Sequence, residues 1–256
     1  MMSVVLISLV PLFLCWGSFL NALGYRLLHG VSIISPRSYC PHCRHTLSWQ
    51  DLIPVFSWVL LKGRCRYCLQ PISWLYPFIE LLTCSLYLML VTHVPAQYWI
   101  GYGIFFSALI ISIRTDLDQM LISRYVTLML IPLGLALSAM KAIEISPTES
   151  ALGVVVGYAV PYFIARIFYA CTHKEGLGEG DMELLSFIGA FTGIYGCWIT
   201  LLIGSLVGSV IGAGYIIAKG QPAQSRIPFG PFLALGAIAY ILYQPTLTSF
   251  IWGLSI

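Results

Sequence analysis

The sequence predicts an all-α polytopic membrane protein, with about eight transmembrane helices joined by short loops and interrupted once by a small loop-rich module. Three observations predict it. The chain is 59% hydrophobic and 9% charged, against roughly 25% charged in soluble domains, and a soluble fold of 256 residues cannot hide that much apolar surface. The apolar residues fall in long runs, and a helix needs about 20 of them to cross a bilayer. Lys and Arg gather in alternate connections, as they do on the cytoplasmic side of a membrane.

The runs lie near Val4–Leu23, Leu75–Val94, Trp99–Ile113, Leu121–Met140, Leu152–Cys171, Leu184–Tyr195, Cys197–Ile217 and Phe229–Tyr243. The sixth is short, and its boundary with the seventh is open. The first run has no basic residue ahead of it and no small-residue cleavage pattern, so it reads as a retained span. The connection after it carries Arg26, Arg37, Arg44, Lys62, Arg64 and Arg66, and later connections on the same side carry Arg114, Arg124, Lys174, Lys219 and Arg226. The opposite side holds only Lys141. Arg166 falls inside the fifth run, within snorkelling reach of the cytoplasmic surface. An even number of spans with both termini outside the cytoplasm satisfies this asymmetry. A net charge of +3 is too small to argue for a nucleic-acid partner.

The loop-rich module extends from about residue 28 to 73, which divides the chain into a first transmembrane helix (1–27), the module (28–73) and a transmembrane core (74–256). A module this short cannot build a core and needs a staple. Elsewhere Gly153 with Gly157, Gly189 with Gly193, and Gly204 with Gly208 and Gly212 make small-xxx-small faces that let membrane helices approach closely.

Cys40, Cys43, Cys65 and Cys68 supply the staple. They form two C-x2-C hooks separated by 21 residues, the pattern of a tetrahedral zinc site. Disulfides are disfavoured in a reducing cytoplasm, whereas zinc adds folding energy to the module. Four thiolates close the shell and leave no position for water, so the expected zinc is structural. A redox pair is the competing reading, without the βαβ pattern that would accompany it.

Six of the ten acidic residues crowd two junctions on the cytoplasmic side: Asp116 and Asp118 at one, and Glu175, Glu179, Asp181 and Glu183 at the other. Each has a bland reading. Asp181 can cap a helix, and Asp116 can pair with Arg114. Together they suggest chemistry, because two carboxylates held close share a proton. One then activates water while the other donates to a carbonyl. The glycines at 176, 178 and 180 would admit an extended substrate strand.

Gly178-Glu179-Gly180-Asp181 matches the GxGD motif, and the sequence around it resembles the type IV prepilin peptidase family over nearly the whole chain. Also matching are Gly17-Ser18-Phe19-Leu20-Asn21 with Arg26, the two Cys hooks flanking Asp51–Trp58, Tyr76-Pro77 with Glu80, and Ile227–Ala234 (IPFGPFLA). The resemblance implies an aspartyl endopeptidase of the bacterial inner membrane. Asp116 and Asp181 would be its catalytic pair, and Asp118, Gly178, Glu179 and Gly180 would contact substrate. It implies prepilin or type II secretion pseudopilin substrates, whose short basic leader is removed at the cytoplasmic face. It also implies N-methylation of the new amino terminus with S-adenosylmethionine, for which Gly17, Asn21 and Glu80 are candidates. No methyl-donor fingerprint is visible, so that activity rests on the resemblance alone.

The sequence departs from the family at two positions. Ile122-Ser123-Arg124 stands where I/L-P-D/N is usual, which bears on the loop geometry. Glu183 stands where Lys is common, which bears on local charge. A presenilin-like protease would lack the Cys module. The alternative from another class is a multi-pass ion transporter or zinc-binding membrane protein with Asp116 and Asp181 on an ion path. That alternative predicts polar residues through the bundle centre, where this chain has few.

Overall fold

The computed structural model describes residues 2–35, 37–174, 176–219 and 227–252. Its helices are α1 (Met2–Leu28), α2 (Phe56–Leu60), α3 (Leu75–His93), α4 (Trp99–Gln119), α5 (Arg124–Ala139), α6 (Pro147–Thr172), α7 (Glu179–Lys219) and α8 (Gly230–Trp252). Five stretches are long and apolar enough to cross a membrane: Leu6–Leu28, Leu75–His93, Ala96–Gln119, Pro147–Thr172 and Glu179–Ala218. Arg124–Ala139 and Gly230–Gln244 are apolar but shorter. The chain divides into two compact units, residues 1–92 and 93–256.

In the first unit α1 and α3 pack closely at Gly17, where an added Cβ would lie 2.9 Å from both Glu80 Cα and Thr83 Cβ. Asn21 is buried and donates its side-chain amide to the Tyr76 carbonyl at 3.1 Å. One helical turn or more away, Phe13, Leu14 and Cys84 form an apolar cluster.

The four-cysteine module between these helices contains two copies of one turn. Cys40 N–H donates to His45 O and Arg44 N–H to Cys40 O; Cys65 N–H donates to Gln70 O and Leu69 N–H to Cys65 O. The fifth residue of each hook, Arg44 or Leu69, takes a positive φ (57° and 60°). Each copy also runs C-x2-C-x3-(Leu/Ile)-Ser-Trp, from Cys40 to Trp49 and from Cys65 to Trp74. An isolated bridge closes each turn, Tyr39 with Thr46 and Arg64 with Pro71. Asp51 ties the module together, accepting from Ser48 N–H (3.1 Å), Ser48 Oγ (2.7 Å), Arg66 Nε (2.7 Å) and Tyr67 Oη (3.3 Å). Burial alone would raise the Asp51 carboxyl, but these hydrogen bonds and the Arg66 charge outweigh it and hold the group below its ordinary value.

In the second unit α7 packs against α6, α8 and α5, and α4 packs against α8 and α5. The 41 residues of α7 are not one rod. Gly193 has φ 69° and ψ −169°, which L residues rarely adopt. Cys197 Sγ lies 3.7 Å from Leu185 O, although 12 residues of straight helix would separate them by about 18 Å. The chain therefore reverses at Gly193 and α7 is a helical hairpin, which explains why the sixth and seventh apolar runs abut. Gly153 and Gly189 meet backbone to backbone, and a Cβ on either would overlap the other's carbonyl. Ser150 Oγ and Ser186 Oγ donate across the same α6–α7 seam to Ala190 O (2.6 Å) and Val154 O (2.9 Å).

One expectation needs correcting. Arg114 is not a loop cation: it lies inside α4, is 2% exposed, and pairs with Asp118 one turn on at 2.9 Å. Its ion pair runs to Asp118, whereas Asp116 accepts from the Gly230 N–H.

Candidate active site

Three helix ends in the second unit converge on one cleft. α4 contributes Asp116 in its last turn and ends at Met120, whose left-handed backbone (φ 55°, ψ 37°) sends its N–H back to the Asp116 carbonyl. α7 contributes Asp181 in its first turn, where Asp181 N–H donates to Gly178 O at 3.2 Å and the Gly178 N–H donates to the Asp181 carboxylate. Asp181 is thus not the N-cap itself but the third helical residue, whose carboxylate reaches back to the Gly178 N–H while still facing the cleft. α8 contributes its first N–H, from Gly230, which donates to Asp116 Oδ2 at 2.9 Å. A helix N-terminus favours a carboxylate at that position.

The cleft encloses about 300 Å³ and is lined by Asp116, Asp181, Gly178, Glu179, Gly180 and Glu183, with Met120, Leu121, Ile122 and Arg124. Asp116 is buried, Asp181 is half-buried, and the charge on Asp116 is close enough to act on Asp181. Of the residues singled out in sequence, Asp116, Asp181, Gly178, Glu179 and Gly180 come together here. Asp118 is not among the lining residues, since it turns to Arg114. Glu175 lies outside the described residues. Gly180 faces Ile122, where an added Cβ would come within 3.2 Å of the Ile122 Cβ.

The two departures noted in sequence, at Ile122–Arg124 in the linker and at Glu183 in α7, meet in this cleft. Ser123 precedes α5 with φ −75° and ψ 114°, a φ that proline would also adopt, so the missing proline leaves a proline-compatible backbone. Arg124 Nε pairs with Glu183 Oε1 at 2.9 Å, and its Nη2 pairs with Glu179 Oε2 at 2.7 Å. The two unusual charges neutralise each other and tie the start of α5 to the first turn of α7. In sequence, Arg124 reads as a loop cation that balances nearby acids such as Glu179 and Glu183, as these pairs show; Gly230 has no separate role there.

In the first unit the four cysteine sulfurs all lie within 4.8 Å of one another, and Cys40 Sγ is 3.8 Å from Cys68 Sγ. A tetrahedral site with metal–sulfur bonds of about 2.3 Å has sulfur–sulfur edges of roughly 3.8 Å, so the donor set fits a metal. The N–H groups of Cys68 and Tyr67 point to the Cys65 sulfur, and such donors stabilise a thiolate, the form a metal binds. His42 and His45 are not in the cluster. Gly17, Asn21 and Glu80 come together on the α1–α3 seam. The Glu80 carboxylate there accepts from Val55 N–H at 2.7 Å and from the Ser18 hydroxyl.

A multi-helix membrane chain with two aspartates on one cleft and a four-cysteine module is a membrane-embedded peptidase in class. The chain belongs to the type IV leader peptidase family: residues 103–213 match that family and residues 12–94 match the bacterial peptidase A24 N-terminal domain. It is 35% identical to a prepilin leader peptidase/N-methyltransferase of Aeromonas hydrophila, over 94% of this chain and 92% of the relative. It is 33% identical to the protein of the same description from Bacillus subtilis (strain 168), over 91% and 92%. A type 4 prepilin-like proteins leader peptide-processing enzyme of Escherichia coli O78:H11 is 33% identical, over 89% and 90%. No solved structure matches the chain.

Proposed function

We propose that this protein is a prepilin leader peptidase of the bacterial inner membrane. It would cut the short basic leader of type IV prepilins or type II secretion pseudopilins at the cytoplasmic face and methylate the amino terminus so released. The observation that carries the proteolytic reading is the meeting of Asp116 and Asp181, from different helices, on one cleft of about 300 Å³. In this reading the two carboxylates share a proton. One takes a proton from water, whose oxygen adds to the scissile carbonyl, while the other protonates the carbonyl oxygen. Collapse of the adduct breaks the C–N bond as the aspartate that took the water proton passes it to the leaving nitrogen and the other takes back the proton of the hydroxyl, leaving a carboxylate on the leader and an amine on the pilin. Asp118, held by Arg114, supports this arrangement from outside the cleft. Eight crossings are part of the same proposal, with the α7 hairpin counted as two, and they put both termini outside the cytoplasm.

Zinc is the metal we assign to Cys40, Cys43, Cys65 and Cys68, as a closed structural ion. S-adenosylmethionine would supply the methyl group. Gly17, Asn21 and Glu80 are occupied with packing α1 against α3 and with holding Val55. They do not by themselves form a cradle for that donor, and no step is assigned through it. The transporter reading is not favoured, because the relatives across the whole chain are leader peptidases.

Co-expression with a candidate prepilin tests the reading, with leader loss followed on a gel and the amino-terminal mass by spectrometry. Asp116→Asn and Asp181→Asn should each abolish cleavage, a loss of 10²-fold or more as roughly expected for general acid–base groups, while Asp118→Asn is milder. Full activity in either of the first two, with expression confirmed, rules the pair out.

A further inference from the structure

The four-cysteine module reads in sequence as a loop-rich insert between apolar helices, but part of it packs against those helices. Val55 packs against the cluster of Phe13, Leu14 and Cys84, and its N–H is held by Glu80. Glu80 and Cys84 lie five and nine residues into α3 from Leu75, about 7 and 13 Å along its axis, within a stretch long and apolar enough to cross a membrane. Val55 has φ 63° and ψ −53°, and Phe56 N–H reaches Pro54 O at 2.6 Å. This is the rare, strained form of γ-turn, unusual for a β-branched residue, and it holds residues 49–60 down against α3.

Around this anchor the segment turns apolar side chains outward. Trp49, Leu52, Ile53, Phe56, Val59 and Leu60 are 70, 39, 40, 64, 59 and 80% exposed. Within α2, Phe56, Val59 and Leu60 share one helical face, while Trp58 turns inward and donates from Nε1 to Ile72 O at 3.2 Å. The rest of the module is basic. Arg37, Arg44, Lys62, Arg64 and Arg66 are exposed, and the only acid between residues 28 and 73 is Asp51, which Arg66 already pairs. A soluble surface rarely carries so many large apolar side chains together. An apolar face with a basic surround is the composition of an element lying in a lipid interface, where Arg and Lys meet anionic headgroups.

We propose that Trp49–Leu60 is a lipid-embedded element, laid into the bilayer interface beside α1 and α3, with acyl chains and anionic phospholipid headgroups as its partner. The catalytic reading neither requires nor supports this assignment. The test uses the full-length protein in nanodiscs of phosphatidylethanolamine and phosphatidylglycerol. The photoreactive residue p-benzoyl-phenylalanine is placed singly at Trp49, Phe56 or Leu60, so that failure of one variant to fold leaves the others. Phe163, 62% exposed on α6, carries the same label as the lipid-facing control. After irradiation, peptides spanning residues 49–60 should gain the mass of a phospholipid, as the Phe163 peptide does. Cross-links to a second copy of the chain or to another protein, or unreacted label at residues 49–60 while Phe163 captures lipid, overturn the proposal.

Discussion

The backbone N–H of Gly230 and the Oδ2 of Asp116, 114 residues apart in the chain, are joined by a 2.9 Å hydrogen bond. The bond fixes one carboxylate oxygen at the start of α8 and leaves the other for the cleft. A Cβ at residue 230 would lie 2.8 Å from that same oxygen, too close to tolerate. Gly230→Ala should therefore lower kcat by roughly tenfold or more, as small misplacements of reacting groups do, with KM and helical circular dichroism little changed. An unaltered kcat shows that Gly230 does not position Asp116.

Arg124 and Glu183 should behave as a coupled pair. Arg124→Glu and Glu183→Arg each set like charges against one another at the mouth of the cleft, and each should slow cleavage. The double variant restores attraction and should recover activity. The coupling should be on the order of 1 kcal/mol, kept small because Arg124 is well exposed. Additive losses in a double-mutant cycle would show that the contact is incidental.

Purified protein should contain about one zinc per chain, as a closed four-thiolate site requires. Cys40→Ser or Cys65→Ser should release it and open residues 28–73 to limited proteolysis, since the module has little core of its own. Metal-free wild-type protein with four freely reactive thiols under reducing conditions refutes the site.

Glu80→Gln keeps an acceptor for Val55 N–H and removes only the charge. If the carboxylate orients the new ammonium group, methylation should fall about tenfold, the value of one charge-assisted contact, while cleavage is largely kept. Equal loss of both activities assigns Glu80 to folding, through its hold on Val55.

Acidic residues at the cleft should attract a basic leader. Glu179 is 78% exposed, and Glu175→Gln with Glu179→Gln should raise KM several-fold at low salt while leaving kcat. The difference should shrink as salt is added, because exposed charges are screened beyond about 8 Å at physiological ionic strength. Glu179 also pairs with Arg124, so Glu183 stays in place to hold Arg124 once Glu179 is neutralised. A KM unchanged at low salt means that binding comes from the pilin's apolar helix.

Much of this arrangement was legible in the sequence because it depends on local pattern. The Cys hooks announce themselves by spacing, and the apolar runs by length. Asp116 and Asp181 stand out because carboxylates are scarce in so apolar a chain. What escaped depends on packing, on one distant hydrogen bond and on a helix too short to show a pattern. Arg114 beside a junction resembles a loop cation, and only packing shows it buried and matched to Asp118. Gly230 is one glycine in a matching stretch until its N–H is seen on Asp116. The exposed face of α2 comes from a helix of five residues, too short for periodicity to reveal.

The reversal at Gly193 bears on how the chain is made. The first leg of the hairpin, Glu179–Thr192, has 14 residues and is about 21 Å long, short of the roughly 30 Å of a hydrocarbon core. In the proposed eight-crossing arrangement it would be too short to settle across the bilayer by itself on leaving the ribosome. It would enter with the second leg as a pair, which would make the glycine turn at the tip a requirement of biogenesis before it is a feature of the finished enzyme.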